Sequence, residues 1–215
     1  MQAQPKIQQL TNEKARQIGD VRFIQLVNSI VAPQNNKSLR TIAFVSITAR
    51  TGTSSLVAGL GEELVNYTCK PSVLVKMEDL KQINWDDIEN LTQYYYFTSV
   101  RNLLAFNHPC KENSKVKKDQ ERTPVSPPLL EGAMMVLKRS FSHIIVDCAS
   151  LKSSSDALII APMVDGVVLV VEADRTTKEQ VIWAQRTIEK ANGKLLGAVL
   201  NKRRYPIPEL IHRWL

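Results

Sequence analysis

The chain has 215 residues, 44% of them hydrophobic, enough for one sizeable core and so for one domain. No run approaches the roughly 20 apolar residues of a membrane span, and the opening MQAQPKIQQLTNEKARQ is polar with no apolar leader core, which makes the cytoplasm the expected compartment. A net charge of +7 and a pI near 9.4 suit an acidic partner, whether nucleic acid, anionic lipid or a protein tail, although solubility accounts for such a charge equally well.

In chain order, residues 1–35 are read as a helical N-terminal segment and 36–215 as an α/β domain. TIAFVS (Thr41–Ser46) is the first expected strand, followed by a helix over Ser54–Tyr67 that sets Leu56, Leu60 and Leu64 on one face. SVLVKM (Ser72–Met77) and YYYFTS (Tyr94–Ser99) are the next strands. Asn107–Pro128, NHPCKENSKVKKDQERTPVSPP, is polar, lysine-rich and punctuated by proline. It is expected to be a mobile surface loop, because it has too little apolar surface to offset its ordering entropy. HIIVDC (His143–Cys148), GVVLVVEA (Gly166–Ala173) and KLLGAVLN (Lys194–Asn201) complete the strands, and a helix over Thr176–Ala191 brings Val181, Trp183, Ala184 and Ile188 on or near one face. Several strands are apolar throughout, as in strands covered on both sides. Strand and helix in alternation give an α/β fold of three layers, a mostly parallel sheet with helices on both faces. Cys69, Cys110 and Cys148 are odd in number and lack CxxC spacing, so they are read as free thiols, and His108, His143 and His212 have no ligand spacing.

RTIAFVSITARTGTSSLVAGLGEEL (Arg40–Leu64) runs from a strand through small polar residues into an amphipathic helix, the layout of a phosphate-binding loop. In a loop of the form G-x-x-x-x-G-K-[ST], backbone N–H groups cradle phosphates, the lysine reaches the outer phosphates and the hydroxyl ligates Mg²⁺. With Gly52 as the second glycine, Ile47 stands at the first, Thr53 at the lysine and Ser54 at the metal ligand. Alone, that pattern is common to many α/β proteins. Two later segments fit it: FSHIIVDCAS ends an apolar strand on Asp147, where a carboxylate holds Mg²⁺ through water, and PSVLVKMEDLK falls where a second acidic strand end belongs.

Taken with SSSDALIIAPMVDGVVLVVEADRTTKEQVIWAQRTIEKANGKLLGAVLNKRRYPIP, these segments make the chain resemble the bacterial tyrosine kinase and capsular or exopolysaccharide synthesis ATPase family. This is a branch of the MinD/ParA-like P-loop proteins, and the resemblance covers about residues 17–208. Its most specific part is DGVVLVVEADRTTKEQ…LLGAVLNKRR. The resemblance implies a P-loop NTPase-like fold with Thr41–Ser46 and His143–Cys148 adjacent and parallel, since ligands bind outside the carboxyl ends of neighbouring strands. It implies a nucleotide site at Arg50, Gly52, Thr53, Ser54, Ser55 and Asn201, the last where the family contacts the purine, and a magnesium site at Ser54, Asp79 and Asp147. The ligands implied are ATP or ADP with Mg²⁺, weakly held. The partners implied are the cytoplasmic face of a membrane polysaccharide copolymerase or a related kinase, with homo-oligomers as a further mode, holding the chain at the inner membrane through that partner.

The chain departs from the family pattern at four places. ARTGTSS stands where the family has PGEGKST, with Arg50 at a glycine and Thr53 at the lysine. MEDLK keeps Asp79 of the acidic DxDxR motif but has Met77 and Lys81 at the other two positions. GDVRFIQ keeps only Arg22 of the ring-forming ExxRxxR, with Gly19 and Gln25 flanking it, and Tyr205 alone follows Asn201 where the kinases carry a tyrosine cluster.

Each residue also has a plainer reading. Asp147 is a solvated strand end or helix cap, Ser54 and Ser55 cap the next helix, Asn201 is a turn residue, Arg50 is a solvated loop arginine, and the tail IPELIHRWL packs on the domain or touches a membrane or partner. Three functions follow. The first is a catalytically impaired kinase-like adaptor, or pseudokinase, of a polysaccharide synthesis and export system. The second is an active ATPase or tyrosine autokinase regulating chain length, with Arg50 in place of the lysine. The third is a ParA-like positioning protein holding DNA on its basic surface, a contact that would weaken steeply with salt.

Overall fold

A computed structural model of the protein describes residues 25–28, 39–83, 95–98, 102–106 and 127–202. Gly19, Arg22, Cys110, His108, Tyr205, His212, residues 107–126 of the expected loop and the tail from 203 lie outside the described residues. Of the N-terminal segment, 25–28 are helical, and Val27 is buried.

Seven strands form one sheet: β1 (Thr41–Ser46), β2 (Ser72–Lys76), β3 (Tyr95–Phe97), β4 (Leu103–Phe106), β5 (His143–Asp147), β6 (Gly166–Glu172) and β7 (Leu195–Asn201), in the spatial order β3-β4-β2-β5-β1-β6-β7. All neighbours run parallel except β3, which pairs antiparallel with β4 at the edge. As expected, β1 and β5 are adjacent and parallel, with Phe44 opposite Asp147. The chain leaves β1 towards β2 on one side and reaches β6 on the other, so the carboxyl end of β1 lies at the point where an open sheet leaves a crevice.

The period of two along each strand divides the core. Ala43 and Val45 of β1, with Ile144 and Val146 of β5, face α3 (Pro127–Ser140), α4 (Asp156–Ile160) and α5 (Lys178–Lys190). Ile42, Phe44 and Ile145 face α1 (Thr53–Thr68), whose Leu56, Leu60 and Leu64 are all buried, as their spacing implies. Each such leucine contributes about 1.5–3 kcal/mol when fully removed from water. The three-layer reading is therefore the observed architecture.

The differences are local. The strand LLAF (β4) went unread, and α3 opens at Pro127, inside the segment expected to be a loop. Pro at the first helical turn is favourable, and Leu130, Ala133, Met134 and Leu137 then bury one face. Trp183 of α5 is 43% exposed while Ala184 and Ile188 are buried, so the tryptophan faces outward from the face expected to hold it. Helix α5 starts on a complete capping box, Thr177 with Gln180.

At the amino ends of the strands, Asp165 Oδ2 accepts hydrogen bonds from Arg40 N (2.9 Å), Thr41 N (2.8 Å) and Thr41 Oγ1 (2.9 Å). The Arg40 guanidinium donates to the carbonyls of Lys138 and Phe141 at 2.8 and 2.9 Å. Burial would raise the Asp165 carboxyl, but these hydrogen bonds and the charge of Lys138 hold it below its ordinary value.

Candidate phosphate-loop site

The site is built by two loops that the β1–β5 pairing brings side by side. After β5 the chain continues along the loop that follows β1, with Cys148 N donating to Phe44 O (3.0 Å), Leu151 N to Ser46 O (2.8 Å) and Lys152 N to Ile47 O (3.2 Å). Between them lies a cleft of about 330 Å³, lined by Arg50, Gly52, Thr53, Ser54, Ser55 and Asp147 together with Ser46, Ala49, Thr51, Cys148, Ala149, Ser150 and Ser153. Most of the residues singled out from the sequence are thus brought to one place. The exceptions are Asn201, which stands behind the loop, and Asp79, which is buried on the short α2 (Met77–Leu80) and does not line the cleft.

The loop takes its shape from two residues in the left-handed region, Arg50 (φ 64°) and Gly52 (φ 86°). A Cβ on Gly52 would also lie 2.7 Å from Asn201 Nδ2, so glycine is required there for both conformation and space. Inside the turn, Ser46 Oγ donates to Thr48 O (2.9 Å) and Thr51 Oγ1 to the same carbonyl (2.8 Å). Gly52 is the N-cap of α1 and makes no side-chain cap. The capping role read for Ser54 and Ser55 is therefore not theirs: both lie inside the first turn, because the helix begins one residue earlier than expected.

The start of α1 leaves N–H groups without helical partners and carries the positive end of the helix dipole. Thr53, at the position of the expected lysine, is buried, and its Oγ1 has no hydrogen-bond partner. Ser54 and Asp147 both line the cleft, so the hydroxyl and carboxylate expected to organise magnesium are brought to one place. Burial lifts the Asp147 carboxyl above its ordinary value, opposed by the Ser54 hydrogen bond and the charge of Lys76. Two oxygen donors of this kind fit a hard cation that keeps most of its waters. Among the described residues no group of three or more acidic, histidine or cysteine side chains is gathered for a metal. Cys148 is buried in the cleft wall, and burial pushes its thiol far up, out of reach of ionisation.

Met77 and Lys81, at the altered positions of the acidic motif, have their own tasks. Met77 is fully buried core, and Lys81 forms an ion pair with buried Asp156 at the start of α4. Two residues that sequence reasoning missed stand at the ends of β6 and β7: Glu172, and Lys202 just beyond Asn201. Asn201 Nδ2 donates to Thr51 O (2.9 Å), Lys202 Nζ donates to Arg50 O, and Lys202 Nζ lies 3.3 Å from Glu172 Oε1. The one signal was an acidic strand end on β6 like that on β5.

No protein-family model matches the chain. The fold is similar to that of the MinD/ParA-like P-loop proteins. The septum site-determining protein MinD of Pyrococcus horikoshii, solved with Mg-ADP, superposes with a TM-score of 0.56 at 18% identity, covering 81% of this chain and 76% of that one. The chimerical protein CapA2B2 superposes with a TM-score of 0.66 at 19% identity, covering 90% and 88%. Sequence narrows the class. A stretch of 66 residues is 39% identical to the tyrosine-protein kinase CpsD of Streptococcus agalactiae, covering 31% of this chain and 29% of that protein. Over 80 residues the chain is 35% identical to the succinoglycan biosynthesis transport protein ExoP of Rhizobium meliloti, covering 37% of this chain and 10% of that protein. These matches span less than a third of either relative. Fold and sequence together support the resemblance drawn from the motifs, to the bacterial tyrosine-protein kinases of polysaccharide systems.

Proposed function

We propose that the protein is a catalytically impaired, kinase-like adaptor of a bacterial exopolysaccharide or capsule synthesis and export system, acting through protein partners at the cytoplasmic face of the membrane. One observation carries this reading: of the described residues lining the cleft, Arg50 is the single cation and Asp147 the single carboxylate. Phosphoryl transfer is almost entirely positioning and charge neutralisation, and this cleft has neither a lysine at 53 nor an acidic group at 77 to supply them. The helix start and loop amides still favour an anion, so a nucleotide is held weakly through its phosphates, with Ser54 and Asp147 as the residues for a magnesium ion. Among the described residues no helix is long and apolar enough to cross a membrane, in keeping with attachment through a partner such as a polysaccharide copolymerase.

The purified protein is expected to show neither magnesium-dependent ATP hydrolysis nor tyrosine autophosphorylation above background. Thr53→Lys restores a charge-assisted contact and should tighten ADP binding by about tenfold to a hundredfold, without turnover. The competing reading, an active ATPase, draws on Arg50, which lines the cleft and stands free of the helix. Robust hydrolysis by the unmodified protein, lost in Arg50→Ala, would establish that reading instead.

A further inference from the structure

A peptide unit directs its C=O and its N–H to opposite sides. The direction of the Arg50 carbonyl therefore fixes that of the Thr51 N–H, which points the opposite way, and the Thr51 carbonyl does the same for the N–H of Gly52. Both carbonyls are held from outside the loop, by Lys202 Nζ and by Asn201 Nδ2 (2.9 Å). Whatever fixes these two oxygens aims the two amides away from β7, and the residues that carry them line the cleft.

The holding side chains are themselves pinned. Lys202 lies 3.3 Å from Glu172 Oε1, and Glu172 also faces Arg175 at 3.4 Å. The Glu172 side chain is 12% exposed and that of Lys202 44%, so the acid is the more fixed of the two and the lysine is drawn to it. The backbone of Lys202 is left-handed (φ 56°), a conformation side chains other than glycine enter at a cost and keep only when their surroundings demand it. Main-chain bonding continues the frame: Ala173 N donates to Asn201 O at 2.9 Å. The Lys202 ammonium is on the carbonyl side of the loop, so it does not replace the missing lysine as a phosphate ligand.

We propose that Lys202 is a positioning residue: with Asn201, and anchored by Glu172, it latches the Arg50–Gly52 turn from behind, so that loop amides face the cleft ready for an oxyanion. The latch rests on the reading that this loop still accepts phosphate, and offers preorganisation where the family pattern has a charge. A ligand that meets an ordered loop does not have to order it, which is a gain in affinity without a new contact.

The test is amide hydrogen exchange on the full chain without ligand, paired with calorimetric titration of ADP. Lys202→Met removes the ammonium and keeps the side-chain length. It should speed exchange across Arg50–Ser55 by about tenfold, the loss of one charge-assisted hydrogen bond, while β1 and β5 exchange as before, and should weaken ADP by a similar factor. Lys202→Arg should return both to the original values. Glu172→Gln should give the same loop-confined change, and serves if Lys202→Met does not fold. Loop exchange unchanged in Lys202→Met, or faster to the same degree throughout the sheet, or not restored by arginine, overturns the latch. If the unmodified protein binds no ADP, retained phosphate binding is refuted, while the exchange measurement still decides the latch.

Discussion

Asp165 and Asp147 stand at opposite ends of the same sheet, one leading into β6 and the other closing β5, and they are shifted in opposite directions. Asp165 takes three hydrogen bonds from Arg40 and Thr41, and its carboxyl is held below the ordinary value. Asp147 is more deeply buried, has the Ser54 hydroxyl and the charge of Lys76 to oppose burial, and is raised. The amino edge is thus tied down, with Arg40 in addition spanning the end of α3. The carboxyl edge holds an unpartnered threonine hydroxyl, the left-handed residues Arg50, Gly52, Asp174 and Lys202, and an under-compensated carboxylate. Parallel strands make this division unavoidable, because the carboxyl end of every strand but β3, and the helix start that follows β1, come to one side. The carboxylate at the amino edge is fully used in hydrogen bonds, and the means to hold an anion lie at the other edge.

The largest expected effect tests whether the carboxyl edge is entirely a place of loose ends. Lys81→Met leaves Asp156 as a buried charge without its partner, and should cost about 3–5 kcal/mol in denaturant unfolding. Adding Asp156→Leu to the same chain should recover most of that loss, since a buried pair replaced by apolar groups is nearly neutral. A cost below that of an ordinary surface substitution would show that the pair contributes nothing and that the edge is loose throughout.

The amino edge is sharpened by Asp165→Asn, expected to lower stability by about 1–2 kcal/mol at neutral pH through weakened hydrogen bonds. Because the folded-state carboxyl is depressed, its stabilisation is present above the ordinary carboxylate range and is lost as pH falls through the folded value. The gap between the two proteins should therefore close in acid, and a gap that is constant with pH would contradict the assignment.

Asp147→Asn gives the smallest and opposite effect. A raised carboxyl contributes stability below its ordinary value and loses it as pH rises through the folded one, so at neutral pH the ionised group is a net cost. The variant should be more stable at pH 7, by less than about 1 kcal/mol, with the difference vanishing in acid, and ADP should lose its response to magnesium. Equal pH dependence at Asp147 and Asp165 would remove the distinction between the edges.

Much of this was legible in the residues themselves. The continuous apolar runs of β1, β5 and β6 and the leucine spacing of α1 follow from local pattern, as does the strand–turn–helix form around Gly52. Helix α3 was equally legible at Leu130, Ala133, Met134 and Leu137, but the two prolines that open it read as loop although they suit a first turn. Strand β4 is four residues long, too short for period alone to separate it from a turn.

The sequence by itself determined the class of fold and the strand–loop–helix layout around Gly52, because periodicity and residue identity are local properties. Only the tertiary structure decided what those residues meet. Asp79 and Asp147 both end or follow strands, yet one is buried away from the cleft and the other lines it, a matter of which strand neighbours β1. Asn201 and Lys202 reach Thr51 and Arg50 across 150 and 152 residues of chain. No local pattern encodes such a pairing, since it exists only once β6 and β7 have packed beside β1 and brought their carboxyl ends to the back of the loop.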